Sequence, residues 1–408
     1  MKYFMILVQT VVLLWPGHVG VQAASPISKV WEFQSIDTMK YSRDVAREKL
    51  TDKTFDQTID TQVKNIAQTG ATHIALGTPY DEEFVPYLAR WVAAGRKYKL
   101  HVWFRGNWSG WEGWFGYSPI TRAQHRQKTD SFILTHSDLF ADGDVFSACP
   151  ECENGGPGDP RQIGDVAGYR HFLISEYQTS QTAFAKIGKR VISNYFSMNG
   201  DVARLVMDKD TTAQLGGIVV IDHYVATPER LAQDIQQIAS QSGGQVVLGE
   251  FGAPIPDIHG PMTPTQQADW LTHSLALMVT NPSLVGLNYW TNTGSSTGLW
   301  QENGQAKPAV AALAAYYSPQ QVTLKVSNEL NLPVSGGQVS YLGRDYTLSA
   351  SGLVTLPVMP HQDLVTVTVA SYKPQLVNIS PNSTEVKVTL AKIDESWWFK
   401  LLKWLAKL

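Results

Sequence analysis

The chain of 408 residues carries 33 Lys and Arg against 36 Asp and Glu, a formal net charge of −3, which does not suggest a nucleic-acid partner. Its two cysteines, Cys149 and Cys152, are too few for a disulfide-framed fold, and the length leaves room for two domains. Thirteen tryptophans are more than core packing usually employs, and such a surplus of flat amphipathic rings points to a binding surface.

Lys2 precedes an apolar run from Met5 to Trp15, which Pro16-Gly17 interrupts and Val21-Gln22-Ala23 closes. The run is too short for a good spanning helix, and the small-residue end fits a cleavage site. Residues 1–23 therefore read as an export signal, with an uncleaved anchor as the alternative. The protein is expected to be secreted, periplasmic or at the cell surface.

From Val30 to Tyr317 short apolar strands alternate with amphipathic helices, the pattern of parallel strands joined by helical crossovers. The expected strands run from Trp31 to Asp37, Thr72 to Leu76, Leu100 to Phe104 and Asp144 to Ala148. They continue from Arg190 to Ser193, Ile218 to Ile221, Val246 to Glu250 and Leu284 to Tyr289. Phe55, Ile59, Val63 and Ile66 form the first helical stripe. Thr227-Pro228-Glu229 and Thr263-Pro264 open later helices with proline in the first turn. Eight such units over residues 28–317 predict an α/β fold, a (β/α)8 TIM barrel. The alternative, an open doubly wound sheet, is weakened because no glycine-rich nucleotide fingerprint follows the first strand.

Beyond Tyr317 the pattern changes to short alternating strands separated by Asn331, Pro333, Gly336-Gly337 and Ser351-Gly352. Residues 320–393 are expected to form a small all-β sandwich. The last stretch, 395–408, combines Trp397, Trp398, Leu401, Leu402, Trp404, Leu405 and Leu408 with Lys400, Lys403 and Lys407. It is too short to span a bilayer and suits an amphipathic helix. Two placements are open for Trp397–Leu408: contact with a membrane surface, or docking on the protein itself.

A barrel of this kind builds its site from the carboxyl ends of its strands. Val246-Val247-Leu248 is followed by Gly249-Glu250, so a carboxylate ends strand seven. Strand four ends in Cys149-Pro150-Glu151-Cys152-Glu153-Asn154, which brings two further acids. Arg105, Asn107, Trp108, Trp111, Glu112 and Trp114 follow strand three. Asn194 and Tyr195 follow strand five, Asp222-His223-Tyr224 strand six, and Tyr289-Trp290 strand eight. Acids, amides and Arg hydrogen-bond sugar hydroxyls, and Trp stacks on the C–H face of a pyranose. Hydrolysis of a glycosidic bond needs two carboxyl groups, one protonated and one ionised.

Gly249-Glu250-Phe251-Gly252, His223-Tyr224 and Trp290 resemble the motifs of clan A (β/α)8 glycoside hydrolases, the group that holds family-five cellulases and mannanases. The resemblance covers Val30 to about Tyr317. It implies an O-glycosyl hydrolase of retaining mechanism, acting on an oligo- or polysaccharide, with neither metal nor cofactor. Glu250 takes the place of the nucleophile, Tyr224 that of its hydrogen-bond donor, and Trp290 that of the sugar-site floor. Glu151 aligns best with the acid/base on strand four, and Glu153 is the alternative. Pro150 stands where the clan usually has an Asn, so the contact to the sugar 2-hydroxyl would fall to another amide, Asn107 or Asn194. Arg105, Asn107, Trp111, Asn194, His223, Tyr224 and Trp290 make up the expected substrate-binding set. The carboxyl groups of Glu151 and Glu250 are expected roughly 5–5.5 Å apart.

Separately, Pro333-Val334, Gly343, Tyr346-Thr347, Gly352 and Ser371-Tyr372 resemble carboxypeptidase-regulatory-like, transthyretin-type domains, which implies an accessory module. Cys149 and Cys152 are read as a local disulfide or two buried thiols, with a redox or metal pair as the competing reading. A non-catalytic carbohydrate-binding protein or adhesin on a degenerate barrel is the second functional class.

Overall fold

The structure is a computed structural model that describes residues 29–380, 382–393 and 396–405. The expected export signal at 1–23 lies outside the described residues. Eight parallel strands alternate with helices: β1 (Phe33–Asp37), β2 (His73–Leu76), β3 (His101–Phe104), β4 (Val145–Phe146), β5 (Ser197–Asn199), β6 (Ile218–Asp222), β7 (Gln245–Phe251) and β8 (Leu284–Tyr289). Their hydrogen-bonded order is β4-β3-β2-β1-β8-β7-β6-β5. A parallel bridge between Val145 of β4 and Ile192 sets the segment that leads into β5 against β4, with Phe146 N–H donating to Ile192 O and Ile192 N–H to Asp144 O. The ring is thereby closed, as a (β/α)8 barrel requires.

Strands covered on both faces are largely apolar, and β4, β6 and β8 read that way, whereas β1 carries Gln34, Ser35 and Asp37 and β5 carries Ser197 and Asn199. Inward-facing Phe33, Ala75, Trp103, Val145, Tyr195, Val220 and Val247 form a cluster of their own. Phe33 meets Trp103 and Tyr195 edge to face at 5.2 and 5.4 Å, so the barrel interior is packed. Outside it, Ile59, Val63 and Ile66 of the Asp56–Gln68 helix are buried as their spacing predicts. Thr227 caps the Pro228–Ser242 helix, and Thr263 with Gln266 forms a capping box on Pro264–Met278; both starts match the sequence signals.

One strand differs from expectation. Only Ile192 of the Arg190–Ser193 segment bridges to β4, and the strand that pairs with β6 begins at Ser197. Within this unit the chain passes from β4 to β6, so the residues at its carboxyl end are not Asn194 and Tyr195.

After the Pro308–Tyr317 helix come β9 (Gln320–Asn328), β10 (Gln338–Tyr341), β11 (Arg344–Thr347), β12 (Leu353–Val358), β13 (Leu364–Thr368), β14 (Gln375–Asn378) and β15 (Glu385–Leu390). They form a four-stranded sheet, β11-β10-β13-β14, and a three-stranded sheet, β12-β9-β15. Alternate residues such as Val322, Leu324, Val326, Val339, Tyr341, Val365 and Val367 are buried in one apolar cluster, the signature of strands with one covered face. Strand β15 runs parallel to β9, an arrangement that requires the chain to return over the other sheet. Arg344 joins this unit to the barrel by donating to the carbonyls of Val279 (2.8 Å), Asn281 (3.4 Å) and Leu284 (3.3 Å). The chain's last described element is the Trp397–Leu405 helix.

Candidate active site

The carboxyl ends of the strands converge on one cation. Arg105, directly after β3, is fully buried and spans the barrel mouth. One of its terminal nitrogens donates to Asp37 Oδ2 of β1 (3.0 Å) and to Glu250 Oε1 of β7 (2.6 Å). The other donates to Asp222 Oδ2 of β6 (2.8 Å) and to Ser197 Oγ of β5 (3.0 Å). Asn288 of β8 completes the ring by donating to Asp37 Oδ2 at 3.3 Å and Gly249 O at 2.8 Å. Burial disfavours the charged carboxyl form and pushes Asp37 and Asp222 up from the ordinary range, an effect that Arg105 opposes. Of these residues Arg105 and Glu250 were expected in the site, and Asp222 stood among the strand-end candidates. Asn288 is a polar residue inside the otherwise apolar β8 and Asp37 is the acid that ends β1, and those placements are the signal that could have found them; Ser197, in the polar β5, carries no such signal.

Glu250 accepts its second hydrogen bond from the Tyr224 hydroxyl at 2.8 Å. The residue before it must be glycine for steric reasons: a Cβ on Gly249 would lie 2.3 Å from Asp222 Oδ1 and 2.9 Å from Ser197 Cβ. The close approach of β6 and β7 that brings both acids to Arg105 depends on that missing atom.

Glu151 faces Glu250. Carboxylate oxygens of Glu151, Asp222 and Glu250 all lie within 4.8 Å of one another. Glu151 adopts φ 45°, ψ 45°, a left-handed conformation uncommon for a residue with a Cβ, and its N–H donates to Ser197 O at 2.7 Å. Its carboxyl group is pushed up to about 8, first by burial and then by the neighbouring Glu250 charge. Three of these acids cluster with a single guanidinium, so the site favours keeping a proton on Glu151.

Glu153 does not share this position. It is buried, with Oε1 accepting from Asn199 N–H at 2.6 Å and Oε2 from the Tyr169 hydroxyl at 3.0 Å. Both oxygens are committed to holding the loop after β4.

A cavity of about 260 Å³ opens beside Glu151 and Arg105, lined also by Met39, Arg43, Glu112 and Trp114. Glu112, in the loop after β3, is raised to about 7 by burial. Asn107 donates to Glu112 Oε1 at 2.5 Å, and its Oδ1 is held by His125 Nε2 at 3.0 Å, which in turn pairs with Glu176 at 2.8 Å. Asn107 is wholly buried, orients Glu112 and does not line this cavity, which corrects the direct contact expected of it. Arg43 lies 4.9 Å above the Trp114 ring.

Trp111, expected as a sugar platform, is also corrected. It is buried, stacks on Phe172 at 4.9 Å and donates from Nε1 to Cys152 O at 3.2 Å. Gly155 and Gly156 pack so closely on it that a Cβ at either would come within 2.4 Å. Its ring secures the strand-four loop. Cys149 and Cys152 in that loop form a disulfide, which leaves neither thiol free for redox or metal chemistry.

Asn194 is absent from the cluster. Its side chain donates to Leu215 O at 2.9 Å, before the start of β6 and hence at the opposite end of the barrel, as the late start of β5 dictates. His223 donates its backbone N–H to Glu250 O, but its ring is held at 2.9 Å by Asp234 of the Pro228–Ser242 helix. It supports the backbone at Glu250 and its side chain stays outside the carboxylate cluster. Trp290 is half-buried beside Tyr224, ring centroids 6.1 Å apart and nearly perpendicular, with Lys40 5.7 Å from its ring. The structure thus gathers Arg105, Glu151, Tyr224, Glu250 and Trp290, and sets Asn107, Trp111, Glu153, Asn194 and the His223 ring aside as supports.

Solved structures share this architecture. A GH5_18 enzyme from Streptomyces cattleya in complex with GlcNAc superposes with a TM-score of 0.53 at 15% identity, over 73% of this chain and 84% of that one. A GH5_18 variant from Bifidobacterium longum in complex with Manβ1-4GlcNAc gives 0.51 at 14%, over 73% and 82%. The likeness is one of fold. No protein-family model and no curated protein matches the sequence.

Proposed function

We propose that the chain is a retaining glycoside hydrolase acting on a β-linked glycan, with Glu250 as nucleophile and Glu151 as acid/base. The observation that carries this reading is the spacing and unequal environment of the two acids. Their oxygens lie within 4.8 Å. That is close to the roughly 5–5.5 Å of retaining enzymes and short of the 6.5–9.5 Å that leaves room for a water in inverting ones.

Glu250, accepting from Arg105 and Tyr224, attacks the anomeric carbon as the glycosidic C–O bond breaks. Glu151, raised to about 8, still carries its proton at neutral pH and gives it to the departing oxygen. Esterification removes the Glu250 charge, which is one of the causes that raise Glu151. Glu151 therefore becomes more acidic in the intermediate, is left ionised, and takes a proton from the water that attacks the same carbon. Glu250 departs and the configuration is retained. Trp290, beside Tyr224, supplies the apolar floor for the sugar ring.

Because related barrels are bound to Manβ1-4GlcNAc and GlcNAc, β-mannosides are the first substrates to test, followed by β-glucosides. Glu250→Ala and Glu151→Ala are expected to lose turnover of natural glycosides by at least about 10²-fold. Azide should rescue Glu151→Ala and yield a glycosyl azide of retained configuration. Rescue of Glu153→Ala instead would move the acid/base. Glycan binding without hydrolysis by the wild type would favour a non-catalytic lectin-like role.

A further inference from the structure

The Trp397–Leu405 helix presents its apolar side outward. Trp397, Trp398 and Trp404 are 63, 59 and 59% exposed, and Leu401, Leu402 and Leu405 between 37 and 51%. At roughly 100° per residue, these six side chains occupy one continuous arc of about 160°. Lys400 and Lys403 stand on the other side, and Lys403 ties the helix to the protein, 2.5 Å from Glu329 just after β9. A helix docked on its own domain would do the reverse, burying the apolar face and exposing the lysines. Of the two placements the sequence left open, self-docking is thus the one the geometry speaks against.

The chemistry of the face narrows what covers it. Three tryptophans on one short helix suit the headgroup level of a bilayer, where an apolar ring body and a polar N–H are both accommodated. Residues 396–408 hold three lysines and no acid, a local positive charge on a chain that is otherwise net negative. No described helix is long and apolar enough to cross a membrane, so the segment would lie in the interface plane. We propose that the C-terminal helix docks the protein on an anionic lipid surface, apolar face down, with the β-sandwich as the spacer between membrane and barrel.

The test is sedimentation of the full chain with vesicles of phosphatidylglycerol and phosphatidylcholine, against vesicles of phosphatidylcholine alone. The comparison is with Trp398→Glu/Leu402→Glu and with Lys400→Gln. The wild type is expected to bind the anionic vesicles, and the double variant at least tenfold more weakly, with its thermal unfolding unchanged. Lys400→Gln is expected to lose roughly fivefold, an effect that disappears at high salt. The apolar run at 5–15 is common to all three proteins and cannot produce these differences. Equal binding by wild type and double variant overturns the proposal. So does self-association in solution that the double variant abolishes while vesicle binding is undetectable, since a second copy would then cover the face. Equal affinity for neutral and anionic vesicles overturns the electrostatic part.

Discussion

Arg105 is the residue on which the site's electrostatics turn. It faces Asp37, Asp222 and Glu250 with no exposure to water, so removing it leaves three buried carboxyl groups without a counter-charge. Arg105→Ala is expected to lower unfolding stability by about 3–5 kcal/mol, the usual cost of orphaning a buried ion pair, measurable by urea denaturation. A loss under 1 kcal/mol would mean that water or protonation already compensates these acids. Glu151 gives a pH signature with a definite sign. Its folded value of about 8 lies above the ordinary carboxyl value of 4.5, so the folded state holds a proton that the unfolded chain has released. That contribution is fully present below pH 4.5 and is lost as pH rises to 8. Glu151→Gln, which has no proton to lose, is expected to gain thermal stability over wild type as pH climbs from 4.5 to 8. A Tm difference independent of pH would contradict the assignment.

Among the elements, β7 and the loop after β4 do most to place the acids, and they differ in how far the sequence disclosed them. Strand β7 was legible because three apolar residues, a glycine and an acid in succession state both a buried strand and its end. The identity of Gly249 also has a packing reason, since β6 and β7 approach too closely there for a Cβ. Gly249→Ala is expected to cost about 1–3 kcal/mol as an overpacked substitution and to displace Glu250, seen as a fall in kcat larger than any change in KM. Unchanged kcat would show that Asp222 can move aside freely. The loop after β4 was half legible. Its acids were visible, but which of them faces the barrel depends on Tyr169 and Asn199 capturing Glu153, contacts between distant segments that no local pattern encodes. The same limit explains Trp111: a tryptophan-rich loop announces rings, while Phe172 and the paired glycines decide that this ring packs inward. Asn194 was misplaced because β5 is too short and too polar for a periodicity signal to fix its end.

At the scale of the molecule, the barrel and the sandwich share one apolar cluster and are pinned together by Arg344, whose guanidinium satisfies three barrel carbonyls. Packing of this kind makes the sandwich part of the barrel's stability. The wild type is expected to unfold in one calorimetric transition. Arg344→Ala, which leaves those carbonyls without their donor, should lower its Tm and cost about 1–3 kcal/mol. Two well-separated transitions in the wild type would show instead that the units fold independently. The change of hydrophobic period near Tyr317 coincides with the passage from the Pro308–Tyr317 helix to β9. The parallel pairing of β15 with β9 was not readable, because alternation specifies which face of a strand is buried and says nothing of its neighbour's direction.

The measurement that tests the central claim most directly is trapping of the covalent intermediate. The protein would be incubated with an activated 2-deoxy-2-fluoro-β-glycoside of the sugar it hydrolyses, digested and mapped by mass spectrometry. The account predicts one glycosyl group on the peptide containing Glu250, absent in Glu250→Gln. A label on another residue, or turnover that inverts the anomeric configuration with no label at all, would contradict it.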